Sequence, residues 1–217
     1  MLNQLLTKIE RKCGKFAIQN LMLYIIIGMG AFFAADVILR TNPDNNVYIL
    51  DMIYFDRERI LSGQVWRVIS FLFMPPDKNI LLVVFFLYFY WLMGVKLEER
   101  WGSFKFNVYY FISVLSCIIT GFAVGYATNV FLNLSVFLAF AVLFPDEQIY
   151  AFFVLPIKMK WAGIVDAIYL VYKYVNGGYY VRLFIIVSLI NFFLFFGKDF
   201  VQLMYYTGRR YYHKLKK

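Results

Sequence analysis

The stretch from Ile80 to Val95 carries no charged residue and is built almost wholly of aromatic and aliphatic side chains. A run of that length and character needs a bilayer or the interior of a large protein. It does not stand alone. Comparable runs cover Ala17–Leu39, Phe106–Ala127, Asn129–Phe144, Ala162–Val175 and Tyr180–Met204. A chain of 217 residues, 62% hydrophobic and 22% aromatic, has too little interior to hide them all from water. With only 16% charged residues it is also neither a disordered chain nor a coiled coil. The composition therefore reads as an all-α polytopic membrane protein, with length for five to seven spans and one sizeable loop. The fourth and fifth runs are the short ones.

The runs predict three regions. Residues 1–16 form a basic N-flank, residues 17–204 a membrane domain, and residues 205–217 a basic tail. Helices are expected at about 17–39, 80–97, 106–127, 129–144, 162–175 and 180–204. Gly102 stops the second, Pro145 ends the fourth, and Asn176-Gly177-Gly178 turns the chain into the sixth. The forty residues between the first two helices hold Pro43, Asp44, Asp51, Asp56, Glu58, Pro75 and Pro76, yet also the apolar Ile49–Tyr54 and Val65–Met74. That mixture reads as a long loop lying partly in the membrane interface. Ile149–Leu155 is too short to span, and the basic, tryptophan-bearing Pro156–Trp161 that follows places it at the interface as well.

The net charge of +9 does not read as a nucleic-acid footprint, because it sits at the chain ends. With six spans and both termini cytoplasmic, the outer regions hold Arg40, Arg57, Arg59, Arg67, Lys78, Lys173 and Arg182. The other 15 of the 22 Lys and Arg fall inside. This bias follows the positive-inside pattern, and the basic ends suit anionic lipid headgroups. Cys13 lies in a basic flank and Cys117 in an apolar run, so no disulfide or zinc framework is read. No phosphate loop, haem motif or metal cluster appears, and no cofactor is expected.

Three motifs then fall in a telling order. The long loop holds Val65-Trp66-Arg67-Val68-Ile69-Ser70. The second helix ends in Leu97-Glu98-Glu99-Arg100-Trp101-Gly102-Ser103. The short fourth helix leads to Phe144-Pro145 and then to Leu155-Pro156-Ile157-Lys158-Met159-Lys160-Trp161. From about Ala17 to Met204 this resembles the rhomboid superfamily of intramembrane proteins. The last segment looks like that of many bacterial members, which implies a multi-pass protein of the bacterial inner (plasma) membrane. The resemblance implies a six-helix rhomboid-like bundle with a long outside loop between helices one and two.

Rhomboid proteases use a serine in Gly-x-Ser-Gly at the start of helix four, a histidine on helix six, and oxyanion donors on helix two. The chemistry needs each part, since serine is a weak nucleophile without a base and the developing oxyanion needs placed donors. Here Thr128-Asn129-Val130-Phe131 occupies the nucleophile motif. The oxyanion positions fall near Leu82 and Phe86. The sole histidine, His213, lies in the cytoplasmic tail. The resemblance thus implies a pseudoprotease, like derlins and inactive rhomboids, which act in membrane-protein quality control, trafficking or assembly. It implies transmembrane helices of client proteins as partners, approaching between helices two and five. The former site is expected to be dry and filled by aromatic packing, with Phe86 against helix four or six and with Phe184 and Val187 nearby.

Several residues remain open. Trp66 and Arg67 read as an interfacial aromatic and a loop-pinning arginine, or else as a partner site. Glu98 and Arg100 read as an ion pair or as helix caps. Asn133 and Ser135 read as interhelical hydrogen-bonding groups or as a residual hydrophilic pocket. Asp166 reads as an inner-interface residue beside Lys158 or Lys160, or as part of a lined cavity. Asp36 is expected to reach water near Arg40. Asn191 is placed where the family histidine would have been. A hydrolase around Ser135 with a lysine base, or a small transporter around Asn133, Ser135 and Asp166, are the alternative readings.

Overall fold

The computed structural model describes residues 2–41, 48–151 and 155–215. Pro43 and Asp44 of the long loop, and Phe152–Val154 of the apolar stub, lie outside the described residues. In chain order the elements are α1 (Leu2–Cys13), α2 (Leu21–Arg40), α3 (Ile49–Ile53), β1 (Phe55–Asp56), α4 (Arg57–Leu61) and α5 (Arg67–Ser70). They continue with α6 (Ile80–Trp101), α7 (Ser103–Val124), β2 (Tyr126–Ala127) and α8 (Val130–Leu143). The chain ends with β3 (Gln148–Ala151), β4 (Leu155–Lys158), α9 (Met159–Asn176) and α10 (Tyr179–Leu215).

The protein is mostly helical, and among the described residues four helices are long and apolar enough to cross a membrane: 21–40, 80–101, 103–124 and 179–206. Helices also form at both shorter runs. At 14 residues α8 rises only about 20 Å, short of a hydrocarbon core of about 30 Å. α9 has the length, at 18 residues, but is not among the four, since Lys160, Asp166 and Lys173 dilute its hydropathy. Two of the expected helix ends move for local reasons. α6 runs through Leu97-Glu98-Glu99-Arg100, all good helix formers, until Gly102. Gly102 sits at φ +84°, which a side chain would strain, so it both ends α6 and starts α7. α10 continues through most of the tail, because nothing there breaks it before Leu215.

Two compact units divide the chain at Asn133. In the first, α2 crosses α6 where Gly94 meets Met22. Without a side chain at Gly94 the two backbones approach closely, and Met22, Met29, Met93 and Leu97 are buried around this seam. The long loop between α2 and α6, expected on the outer side, is a folded structure in its described residues. β1 pairs antiparallel with β2, Phe55 opposite Ala127 and Asp56 opposite Tyr126. Phe55 is fully buried, edge-on to Phe71 and Phe122 at 5.7 and 5.3 Å. The Arg57 guanidinium donates to the Phe122 carbonyl at the end of α7. The loop is thereby stitched to the membrane helices by backbone pairing and by aromatic packing.

In the second unit the stub expected to lie as a plain interfacial segment is a β-hairpin. β3 pairs antiparallel with β4 from Gln148–Lys158 to Ala151–Leu155. Its backbone polar groups are met by strand pairing, which a lone extended stub in the interface would lack. The hairpin is tied to its neighbours where Met159 N–H donates to the Glu147 carbonyl and Lys160 N–H to that of Pro145. α9 then leans on α8, since a Cβ on Gly163 would stand only 2.6 Å from the Ala141 Cβ. Arg182 of α10 donates to the Tyr174 and Val175 carbonyls, capping the end of α9. Both cysteines are free thiols, Cys13 exposed and Cys117 buried.

Candidate functional site

The head of α8 is where the family motif would place a nucleophile. Thr128 Oγ1 accepts from Val130 N–H at 3.3 Å, a cap on the first turn. Asn129 is buried, and its Nδ2 donates to the Leu72 carbonyl at 3.1 Å and the Met74 carbonyl at 2.9 Å. Leu72 lies within the short helical turn Phe71–Phe73, and Met74 follows it just before Pro75 and Pro76. One amide thus pins the outer loop across the start of the helix. Val130, in the serine position of the motif, is 42% exposed, whereas Phe131 is buried. Neither carries a nucleophilic atom. Sequence reasoning passed over Asn129; the available signal was an Asn beside Thr at a helix start, where side-chain amides find backbone groups.

The helix-two positions differ from the expectation of buried packing. The buried side chains of α6 are Val83, Phe89, Met93 and Leu97. Leu82 and Phe86 fall on the same side of the helix by its period, and are half-buried. Phe86 meets Phe85 edge-on and Tyr90 at a tilt, both on its own helix, at 5.5 and 6.3 Å. In the second unit, Phe184 is buried and Val187 half-buried.

The intramembrane polar residues separate into distinct places. Asn133 lies one turn below Asn129 on the same face, is buried, and its Oδ1 has no hydrogen-bond partner among the described residues. Ser135 is buried too, but two residues further on it points about 200° away around the helix. Asp166 is only 6% exposed, on the buried stripe Met159, Gly163, Asp166 and Leu170 of α9. Neither carboxylate oxygen has a hydrogen-bond partner among the described residues. The expected pairing with Lys158 or Lys160 does not form. Lys158 is exposed, and Lys160 reaches Asp146 at 3.7 Å and lies 5.9 Å from the Trp161 ring. The helical period turns Asp166 inward, away from these lysines. Asn191 is buried on α10 with Ser188 one turn before it. His213 falls in the last turns of α10, beyond the apolar window ending at Tyr206.

The motif residues are structural clamps. Arg67 is 2% exposed. Its Nε donates to Gln64 Oε1 at 2.7 Å, its Nη1 to the Tyr54 carbonyl at 2.9 Å, and its guanidinium lies 4.9 Å from the Tyr54 ring. Ser70 Oγ donates to the Ile53 carbonyl beside it. Trp66 is exposed and donates its indole N–H to the Met52 carbonyl at 3.1 Å. Glu98 Oε1 accepts from the Asn20 N–H at 2.9 Å, just before α2. Arg100 is exposed, and Glu98 acts as a cap rather than as its ion-pair partner. Pro156 and Lys158 build β4, and Trp161 is exposed at the foot of α9. Asp36, expected in water, is buried. It pairs with Arg40 at helical spacing and accepts from Leu50 N–H at 3.1 Å, so it anchors the first turn of α3 to α2.

No protein-family model matches the chain, and no curated protein matches it.

Proposed function

We propose that this chain is a rhomboid-like, six-span membrane protein without protease activity that holds transmembrane segments of client or partner proteins. The observation that carries the reading is the head of α8. The position of the catalytic serine is Val130, and its neighbour Asn129 spends its amide on two loop carbonyls. A hydrolase needs a nucleophile, a base and a channel for water at this point. The chain supplies a loop tie there, and its one histidine is ten or so residues into the tail. On the outer half of α6, Leu81, Val84 and Tyr88 are exposed on one face, an apolar surface for a partner helix, while the half-buried Leu82 and Phe86 lie on another. In lipid such association rests on close van der Waals packing, not on hydrophobic transfer, so shape selects the partner. The basic termini and Trp161 suit the cytoplasmic leaflet.

A serine-reactive fluorophosphonate probe applied to the purified protein tests this reading. No labelling is expected, with Ser135→Ala indistinguishable from the native chain. Labelling lost in Ser135→Ala would reinstate a hydrolase.

A second reading has one specific observation in its favour. Asp166, buried with both oxygens unpartnered, is the kind of intramembrane carboxylate that marks an ion or proton path. Solute or ion uptake into proteoliposomes, abolished by Asp166→Asn, would favour a small transporter.

A further inference from the structure

Residues 1–16 were expected to be a basic flank, and they fold into α1 and a short turn at Gly14–Phe16. The helix has three distinct faces. Leu6 is buried and Glu10 bridges to Lys105 at 3.8 Å, which fixes α1 against the start of α7. Ile9 and Cys13 continue the apolar stripe at helical spacing, and both are exposed. Phe16, just past the helix, is 74% exposed. Lys8, Arg11, Lys12 and Lys15, at spacings of three and four, form a basic stripe on the opposite flank, all exposed. Lys15 lies 5.1 Å from the Phe16 ring.

The position of this helix is as informative as its faces. Only four residues separate Phe16 from Leu21, where the first membrane-crossing helix begins. Such a linker reaches less than about 20 Å, so α1 is held at the membrane surface. The protein covers Leu6 and leaves the rest of the apolar stripe open. A basic stripe beside an open apolar stripe is the pattern of a helix lying in a lipid interface, apolar side down and cations at headgroup depth.

We infer that α1 is an in-plane membrane helix that recognises the phosphate groups of anionic phospholipids through Lys8, Arg11, Lys12 and Lys15. The apolar stripe gives depth, and the four cations give lipid selectivity. This inference is independent of the client-binding reading, since it concerns a surface helix and not the former catalytic site.

The two thiols supply the probe. Cys13 is exposed and Cys117 buried, so a nitroxide reagent modifies the folded full-length chain at Cys13. The labelled protein is reconstituted into phosphatidylcholine vesicles with or without phosphatidylglycerol. Accessibility to oxygen and to a water-soluble nickel chelate then reports depth. The expected result is a label shielded from nickel in phosphatidylglycerol vesicles and less shielded in phosphatidylcholine alone. The variant with Lys8, Arg11, Lys12 and Lys15 all changed to Gln should lose this dependence. Preference for spin-labelled phosphatidylglycerol over phosphatidylcholine should fall by up to about fivefold per charge removed, until the bulk ratio is reached. Because the four side chains are exposed, these changes leave the fold intact. Phe16→Ser should reduce shielding in both lipids. A label equally deep in both lipids and unmoved by the Gln changes would overturn the inference, as would a water-exposed label throughout. Inorganic phosphate that competes as well as phosphatidylglycerol would also overturn it, by making the stripe a small-anion site.

Discussion

Replacing Arg67 by Met should open the outer loop without unfolding the membrane helices. Arg67 donates to Gln64 Oε1 and to the Tyr54 carbonyl and stacks over the Tyr54 ring. Hydrogen bonds from a charged donor are worth about 1.5–3 kcal/mol each, and the ring contact about 1 kcal/mol. Fixing the long side chain costs up to about 2 kcal/mol, and Met recovers part of the packing. A net loss of about 3 kcal/mol remains, which is on the order of a hundredfold in the local opening constant. Hydrogen exchange of the reconstituted protein reads this directly. Amides in 54–70 should exchange on the order of a hundredfold faster, while amides around Cys117 in α7 keep their protection. Arg67→Lys should fall between, because an ammonium cannot make the guanidinium fork. Exchange within about threefold of the native rate at 54–70 would refute the reasoning. So would an equal loss in α7, which would make Arg67 a support of the whole unit.

Gly94→Ala should push α2 from α6 and cost about 1–3 kcal/mol, seen as a lower midpoint of thermal unfolding in detergent, because its Cβ would overlap Met22. Asp56 caps α4 by accepting from the Arg59 and Glu58 N–H groups, and these bonds, the Arg59 one foremost, hold its carboxyl below the usual carboxylate range. A lowered folded-state value means that the cap contributes fully above about pH 4 and is lost as the pH falls through that lowered value. Local exchange of 57–61 should therefore rise on acidification, and Asp56→Ala, costing about 1 kcal/mol, should abolish the dependence. Asp166→Leu should leave thermal stability unchanged or raise it, since it removes a buried carboxylate with no hydrogen-bond partner among the described residues; a loss above about 1 kcal/mol would reveal a partner.

The helices were legible because hydropathy is a property of whole windows, and Gly102, Pro145 and Asn176-Gly177-Gly178 mark ends by backbone constraint alone. Arg67 reads as a loop pin from the residues themselves, since a lone arginine amid apolar residues must find carbonyls, and it donates to that of Tyr54. Other features depend on facing, which a hydropathy window does not resolve. Asp166 stands about one turn from Trp161 and so looks interfacial, yet the helical period turns it inward. Asp36 looks able to reach water, but Leu50 N–H covers it. The hairpin at 148–158 was hidden because its strands are too short to show alternation. α1 was hidden by its charge, which reads as a topology signal before its spacing is counted. Asn129 was hidden because its partners, Leu72 and Met74, are more than fifty residues away.

The most direct test of a binding but non-cleaving bundle is the mass of what it captures. A photoreactive residue at Phe86, on the outer half of α6, is illuminated in native membranes and the crosslinked peptide is weighed. The account predicts intact transmembrane segments, captured at Phe86 and not at a control position on the C-terminal extension of α10 beyond Tyr206. Segments cut within their hydrocarbon span, or capture no greater at Phe86 than at the control, would contradict it.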